Sequence, residues 1–330
     1  MTHTSYTREE LLAAHDDLID AHEWHDETGA QPATTANQLY TDGGEVRSPP
    51  VVVKIGGAKA VDPEGAVGDI AHLVANGREV VVVHGGSTAV DETLERMGME
   101  PTYVETPSGV TGRFTDEETM DVFSMVMAGK LNTELTTLFR NAGVDAVGLS
   151  GVDGGLLTGR RKSAVRVLED GKKKIKRGDH SGKITDVNAT LLQSLLSDGY
   201  TPIVSVPMLG EEKDGRVTAV NADADRSAAA VAGALGAELV ILTDVEGVYA
   251  DPDDSSTLIE SAETGEELAA IEAAAEGFMT KKVMAAKEAL EGGATTVHVS
   301  DANVRNPIVS ALNGAGTAIS ATAITTEVEQ

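Results

Sequence analysis

The chain has no cysteine, few aromatic residues and a shortage of positive charge. Without cysteine there can be no disulfide, no thiolate zinc site and no thiol nucleophile. Only 26 lysines and arginines stand against 53 aspartates and glutamates, so the formal net charge is −27 at pH 7. That balance repels phosphate backbones and anionic bilayers, which argues against nucleic-acid and membrane partners. No apolar run approaches the roughly 20 residues of a membrane span, and no charged-then-apolar signal pattern opens the chain. A soluble, cytoplasmic protein is expected. The acidic residues are spread along the whole length and aromatics make up only 3%. Together these read as a halophilic surface, where a Debye length of about 3 Å or less screens self-repulsion. An ordinary acidic enzyme is the plainer alternative.

Two common phosphate-binding signatures are also missing. No G-x-x-x-x-G-K-S/T loop occurs; residues 178–183 fall one position short of it, with no strand expected before them. No G-x-G-x-x-G occurs either. The histidines fit no common metal spacing, although four of the eight lie in residues 1–48. A solvated face or an oligomer contact suits them better than a metal, and no metal site is expected.

From residue 50 onward, short apolar runs alternate with helical patterns. Strands are expected at 51–55, 79–83, 146–149, 201–206, 239–243 and 296–299, and helices at 64–76, 87–97, 116–142, 187–198, 223–235 and 280–291. Unbroken apolar strands separated by helices imply an α/β protein, a mainly parallel sheet covered on both faces. Ligands of such sheets bind beyond the carboxyl ends of the strands. Residues 1–48 read differently. Thr7 and Glu10 give a capping-box pattern, Leu11, Leu12, His15, Leu18, Ile19 and His22 share one helical face, and 25–48 is a polar linker.

Glycines close the strands. Gly56, Gly57, Gly85 and Gly86 would let phosphate oxygens approach backbone N–H groups, although tight strand-to-helix turns use glycine in any case. Lys54 is more telling, because it interrupts Val-Val-Val-Lys-Ile-Gly-Gly. A lysine there is costly to bury without an anionic partner, unless it lies on an edge strand and reaches water. Asp223, Asp225 and Arg226 open a helix of small residues; such acids either complement the helix dipole or belong to a site.

The chain from about 50 to 320 resembles the amino acid kinase family, in its acetylglutamate-kinase branch. The matching stretches are Val-Val-Lys-Ile-Gly-Gly (52–57), Val-Val-His-Gly-Gly (82–86), Gly-Arg-Phe-Thr (112–115), Val-Asn-Ala-Asp (220–223), Leu-Thr-Asp-Val-Glu-Gly-Val-Tyr (242–249) and Gly-Phe-Met-Thr-Lys-Lys (277–282). Thr-Pro-Ser-Gly (106–109), Arg-Phe-Thr-Asp (113–116), Val-Gly-Leu-Ser-Gly-Val-Asp-Gly-Gly (147–155) and Arg-Arg-Lys (160–162) are similar to the members that act on amino acids tethered to a small carrier protein. The resemblance implies a three-layer αβα sandwich of two lobes, 49–216 for the carboxylate substrate and dimerisation and 217–330 for ATP, behind an acidic extension at 1–48. It implies a homodimer; arginine-inhibited relatives use an N-terminal helix to join dimers into hexamers.

The implied reaction moves the γ-phosphate of ATP onto the side-chain carboxylate of carrier-linked glutamate or 2-aminoadipate, in arginine and lysine biosynthesis. N-acetylglutamate is the alternative acceptor. A carboxylate is ionised at neutral pH, so no general base is needed. By resemblance, Lys54 and Lys282 stabilise the transferring group and Asp223 holds the lysines in place. Gly86, Ser87, Arg113 and Asn221 bind the substrate, Arg113 as a bidentate partner of its α-carboxylate. Gly56, Gly57, Gly85, Thr243, Asp244, Gly247, Tyr249 and Lys281 surround the nucleotide, with Mg²⁺ carried by ATP. Ser87 replaces a usual third glycine, and Ala219 stands where relatives often have a substrate-binding asparagine. Glutamate and aminoadipate differ by one methylene, too little to separate here.

One charge pattern stands apart from the resemblance. Residues 160–177 hold nine of the 26 basic residues: Arg160, Arg161, Lys162, Arg166, Lys172, Lys173, Lys174, Lys176 and Arg177. A basic hairpin in so acidic a chain suits an acidic protein partner, which matches the small acidic carrier. The stretch lacks base-stacking aromatics, which disfavours nucleic acid.

Overall fold

The computed structural model describes residues 40–42, 45–56, 63–107, 109, 111–169 and 171–325. The helix expected over 7–22, and Gly57, lie outside them. Strands β1 (Tyr40–Asp42) and β2 (Glu45–Arg47) form a small hairpin. The chain continues through β3 (Val51–Ile55), α1 (Pro63–Ala75), β4 (Val80–His84), α2 (Ser87–Arg96), β5 (Tyr103–Glu105) and β6 (Thr111–Arg113). Next come α3 (Glu117–Ser124), a π-helical segment (Met125–Leu131), α4 (Asn132–Asn141), β7 (Ala146–Gly151), β8 (Leu157–Glu169), β9 (Lys172–Val187) and α5 (Ala189–Ser197). The last part holds β10 (Thr201–Glu211), β11 (Val217–Val220), α6 (Ala224–Leu235), β12 (Glu238–Thr243), β13 (Ser261–Ala262), α7 (Gly265–Ala274), α8 (Gly277–Glu291), β14 (Thr296–Asp301), α9 (Pro307–Leu312), β15 (Thr317–Ser320) and α10 (Thr322–Thr325).

One sheet of eleven strands organises the molecule, in the order β13-β15-β14-β12-β3-β4-β10-β8-β9, with β7 and β11 also pairing with β10. Its centre is parallel: β14, β12, β3, β4 and β10 run the same way. Successive residues of a strand point to opposite faces. Val51, Val53 and Ile55, with Val80, Val82 and Val240, pack under Ile70 and Phe139. Val52, with Val81, Val83, Leu239 and Ile241, packs against the small residues of α6 and α8. Both faces are covered, so both parities must be apolar, and the strands read as continuous hydrophobic runs. Each such side chain contributes about 1.5–3 kcal/mol on burial.

The single helix expected over 116–142 is two α-helices joined by π-helical turns. The widened turns lay Met127 and Leu131 over the end of β4. A Cβ on Gly86 would stand 2.2 Å from Leu131 Cδ1 and 2.7 Å from Met127 Sδ. Helix α7 had no expectation, although its start carries a capping box between Thr264 and Glu267. The basic run forms the hairpin expected of it, β8 against β9. The near-P-loop at 178–183 lies inside β9 and so is no phosphate loop.

Candidate active site

Strands β3, β4 and β12 end on the same edge, with Lys54 in register with Val83 on one side and Ile241 on the other. Lys54 is 7% exposed and lies on an inner strand, so the edge-strand alternative fails. Its Nζ lies 2.7 Å from Asp225 Oδ1. The other oxygen of that carboxylate faces Lys282, with Nζ 3.7 Å from Oδ2. Two lysines from distant parts of the chain therefore share one carboxylate.

The helices that carry Asp225 and Lys282 can meet because their contact faces are small. Ala228, Ala229 and Ala232 of α6 and Ala285, Ala286 and Ala289 of α8 are buried together. Gly233 approaches so closely that an added Cβ would lie 2.9 Å from the Gly292 carbonyl carbon. Arg226 of α6 adds a two-pronged ion pair to Glu288 of α8, with Nε to Oε2 at 2.8 Å. Burial pushes the Asp225 carboxyl up, but Lys54 and then Lys282 overcome it and hold the group below its ordinary value. Burial lowers the Lys282 ammonium against the attraction of Asp225, and Lys54 pushes it the same way.

The resemblance gives Asp223 the task of holding the lysines; in the structure the carboxylate between them is that of Asp225. Asp223 is the N-cap of α6, and its carboxylate accepts the Arg226 N–H at 3.1 Å. Asp225, in the first helical turn, makes both ion pairs. Asp223 and Asp244 still act on Lys282 as attractive charges. Lys281 does not join Lys282. Neighbouring helical residues point about 100° apart, and Lys281 Nζ donates instead to the Thr111 carbonyl at 2.7 Å.

At the end of β4, Gly85 N–H donates to the Ile55 carbonyl at 3.1 Å, tying the β3 and β4 turns together. Gly86 is the N-cap of α2, directly after β4, and offers no side-chain acceptor to the first N–H groups of that helix. Behind them His84 is buried and meets Asn132 Nδ2 at 3.2 Å. Burial lowers His84 to about 4, against a hydrogen bond with Gly85, so the ring is neutral above that pH.

Arg113 is not free. Its Nη1 lies 2.5 Å from Asp91, and its Nη2 donates to the Ser87 carbonyl at 3.1 Å and the Tyr103 hydroxyl at 2.9 Å. Tyr103 in turn donates to Asp91 at 2.8 Å. Neither Asp91 nor Tyr103 stood out in the sequence. Asp91 lies four residues after Ser87 on α2, a spacing that puts both on one face. Asn221 is pinned on three sides: its N–H donates to the His180 carbonyl, its carbonyl accepts from Gly182, and its Nδ2 donates to Thr115 Oγ1. Thr243 closes β12 and donates to Asp244 at 3.1 Å. Gly247 packs on Thr317, whose Oγ1 would stand 2.5 Å from an added Cβ, so this glycine serves close packing. Tyr249 donates to Glu246 at 3.0 Å.

A parallel sheet whose strand ends present two lysines on one carboxylate, beside an open helix N-terminus, defines an α/β phosphotransferase. The chain belongs to the amino acid kinase family, whose model matches residues 49–301. It is 42% identical over 275 residues to the [LysW]-aminoadipate kinase of Thermus thermophilus, covering 82% of this chain and 99% of that one. It is 43% identical over 245 residues to the acetylglutamate kinase of Methanopyrus kandleri, covering 73% of this chain and 91% of that one. Among solved structures, the N-acetylglutamate synthase of Neisseria gonorrhoeae superposes with a TM-score of 0.65 at 26% identity, over 83% of this chain. The chain spans 60% of that synthase's length.

Proposed function

We propose that this kinase transfers the γ-phosphoryl group of ATP to the side-chain carboxylate of glutamate or 2-aminoadipate held on a small acidic carrier protein. The observation that carries the chemistry is the Lys54–Asp225–Lys282 arrangement at the strand ends. A carboxylate oxygen of the acceptor attacks the γ-phosphorus, the bond to the β–γ bridging oxygen breaks, and ADP leaves with that electron pair. Lys54 and Lys282 offset the charge spread over the transferring group, each worth roughly 10²–10³ in rate. Asp225 faces both ammonium groups and aims them. The N–H groups at Gly86 and Ser87 take phosphate oxygens, and Gly56, Gly57 and Gly85 leave room for them. Thr243, Asp244, Gly247 and Tyr249 border the nucleotide, and Mg²⁺ arrives on ATP.

Arg113 and Asn221 receive the amino-acid part of the acceptor. Asp91, the Ser87 carbonyl and the Tyr103 hydroxyl orient the Arg113 guanidinium, so in this proposal Arg113 exchanges part of that set for the α-carboxylate when the acceptor binds. The relative from Thermus thermophilus and the basic hairpin support a carrier-linked acceptor. The relative from Methanopyrus kandleri supports free N-acetylglutamate as a second reading. In this proposal residues 49–216 serve the acceptor and dimerisation and 217–330 the nucleotide, in a homodimer suited to a salt-rich cytoplasm.

Hydroxylamine trapping of the acyl phosphate decides between the readings. Product is expected with the carrier adduct and at most a trace with N-acetylglutamate; equal turnover of both would assign the free amino acid. Lys54→Ala and Lys282→Ala should each lower kcat by about 10²–10³. Full turnover by either variant would remove the mechanism.

A further inference from the structure

The basic hairpin has two faces, and they differ in how much of their positive charge is free of acidic neighbours. In β8 and β9 the register pairs Ala164 with Arg177, Arg166 with Ile175, and Leu168 with Lys173 on one face. Val165 with Lys176, Val167 with Lys174, and Glu169 with Lys172 fall on the other. On the second face Val167 is buried and part of the charge is spent, although Lys172, Lys174 and Glu169 are exposed. Val167 is 1% exposed, Lys176 Nζ sits 4.1 Å from the Phe114 ring centroid, and Lys174 pairs with Glu169 at 2.8 Å. On the first face Arg166, Lys173 and Arg177 are exposed around Ile175, itself 64% exposed. Neither strand brings an acidic side chain to this face over 164–168 and 173–177.

We propose that this outward face is the docking surface for an acidic protein partner, with Ile175 as its apolar anchor and Arg166, Lys173 and Arg177 as its charged rim. The partner's chemistry follows from the surface. A chain of net charge −27 that gathers three cations around one apolar side chain complements a surface with carboxylates around an apolar side chain. A dry apolar centre with a charged rim is also the arrangement in which a few side chains dominate affinity. Salt divides the two contributions, because screening weakens the rim and leaves apolar burial intact.

The inference rests on the carrier-linked reading above. The test measures KM and kcat for whichever carrier adduct the wild type turns over, at about 0.2 M and about 3 M KCl. Arg166→Glu and Ile175→Asp should each raise KM about tenfold or more at the lower salt, with kcat within about twofold. The Arg166→Glu penalty should shrink at the higher salt, whereas that of Ile175→Ala should persist. Arg140→Glu, the same charge change on α4, should leave KM unchanged, and Lys174→Glu should raise it less than Arg166→Glu does. Unchanged KM in Arg166→Glu and Ile175→Asp overturns the docking face while leaving the reaction intact. A wild type that ignores both carrier adducts overturns the underlying reading and the docking face with it. Loss of affinity for an RNA homopolymer in these variants, with KM unmoved, would mean that the face binds nucleic acid.

Discussion

Asp225 is asked to do two things at once, and the two aspartates at the start of α6 can be told apart by substitution. Asp225→Asn removes the charge that both lysines face, while Asp223→Asn leaves an asparagine still able to cap the helix. Steady-state kinetics should show kcat falling at least tenfold more in Asp225→Asn than in Asp223→Asn; equal effects would return the clamp to Asp223. The same pair sets the alkaline limit. Burial holds Lys282 below its ordinary value of 10.5, so its charge is lost as pH rises through that lowered value, and activity should fall before the ordinary lysine range. In Asp225→Asn the opposing attraction is gone and the limb should move to lower pH still.

Two buried groups act on stability in opposite directions over one pH window. His84 is lowered from 6.5 to about 4 by burial. The unfolded chain therefore takes up the proton first, and stability is lost as pH falls from about 6.5 to about 4, by about 3 kcal/mol. Asp69 is raised from 3.8 to about 6 by burial, against hydrogen bonds from Val309 and Ile308. There the folded chain binds the proton first, so stability rises as pH falls through nearly the same window. Urea denaturation at pH 7 and pH 4.5 should show a small net change in the wild type. His84→Gln should gain stability on acidification, and Asp69→Asn should lose more than the wild type.

At the scale of elements, the site depends on how closely α6 and α8 pack. A Gly233→Val substitution forces side-chain atoms into the Gly292 backbone, so the helices must separate. A loss of about 1–3 kcal/mol in a denaturant titration is expected, together with reduced turnover, because Lys282 moves away from Asp225. Much of this frame was legible. The valine runs announced buried parallel strands, and Lys54 announced a buried charge that needed a partner. What was not legible depends on direction around an axis. Asp223 and Asp225 both open the same helix, and only backbone dihedrals decide which one caps and which one faces the sheet. Lys281 and Lys282 are adjacent, and only the orientation of α8 shows that they serve different neighbours. Tyr103 and Arg113 meet across strands of three residues each, too short to leave a hydrophobic period.

At the scale of the molecule, the charge of −27 makes salt a structural variable. Thermal unfolding followed by circular dichroism should show Tm rising with KCl into the molar range, as screening relieves repulsion; a flat profile would mark the acidic surface as incidental.

The place of β3 in the sheet has a consequence for how the protein is made. β3 sits between β4 and β12, yet β12 begins only at Glu238. On a ribosome adding about 5–20 residues per second, Val51–Ile55 waits roughly 10–40 s for its second neighbour. Throughout that interval one side of a buried, valine-rich strand has no partner, and closing so long a loop is slow. Nascent chains stalled before residue 238 should bind chaperones or aggregate, while chains stalled well past residue 301 should resist protease. The strand that carries Lys54 is thus among the first made, yet it is finished only well into the second half of synthesis.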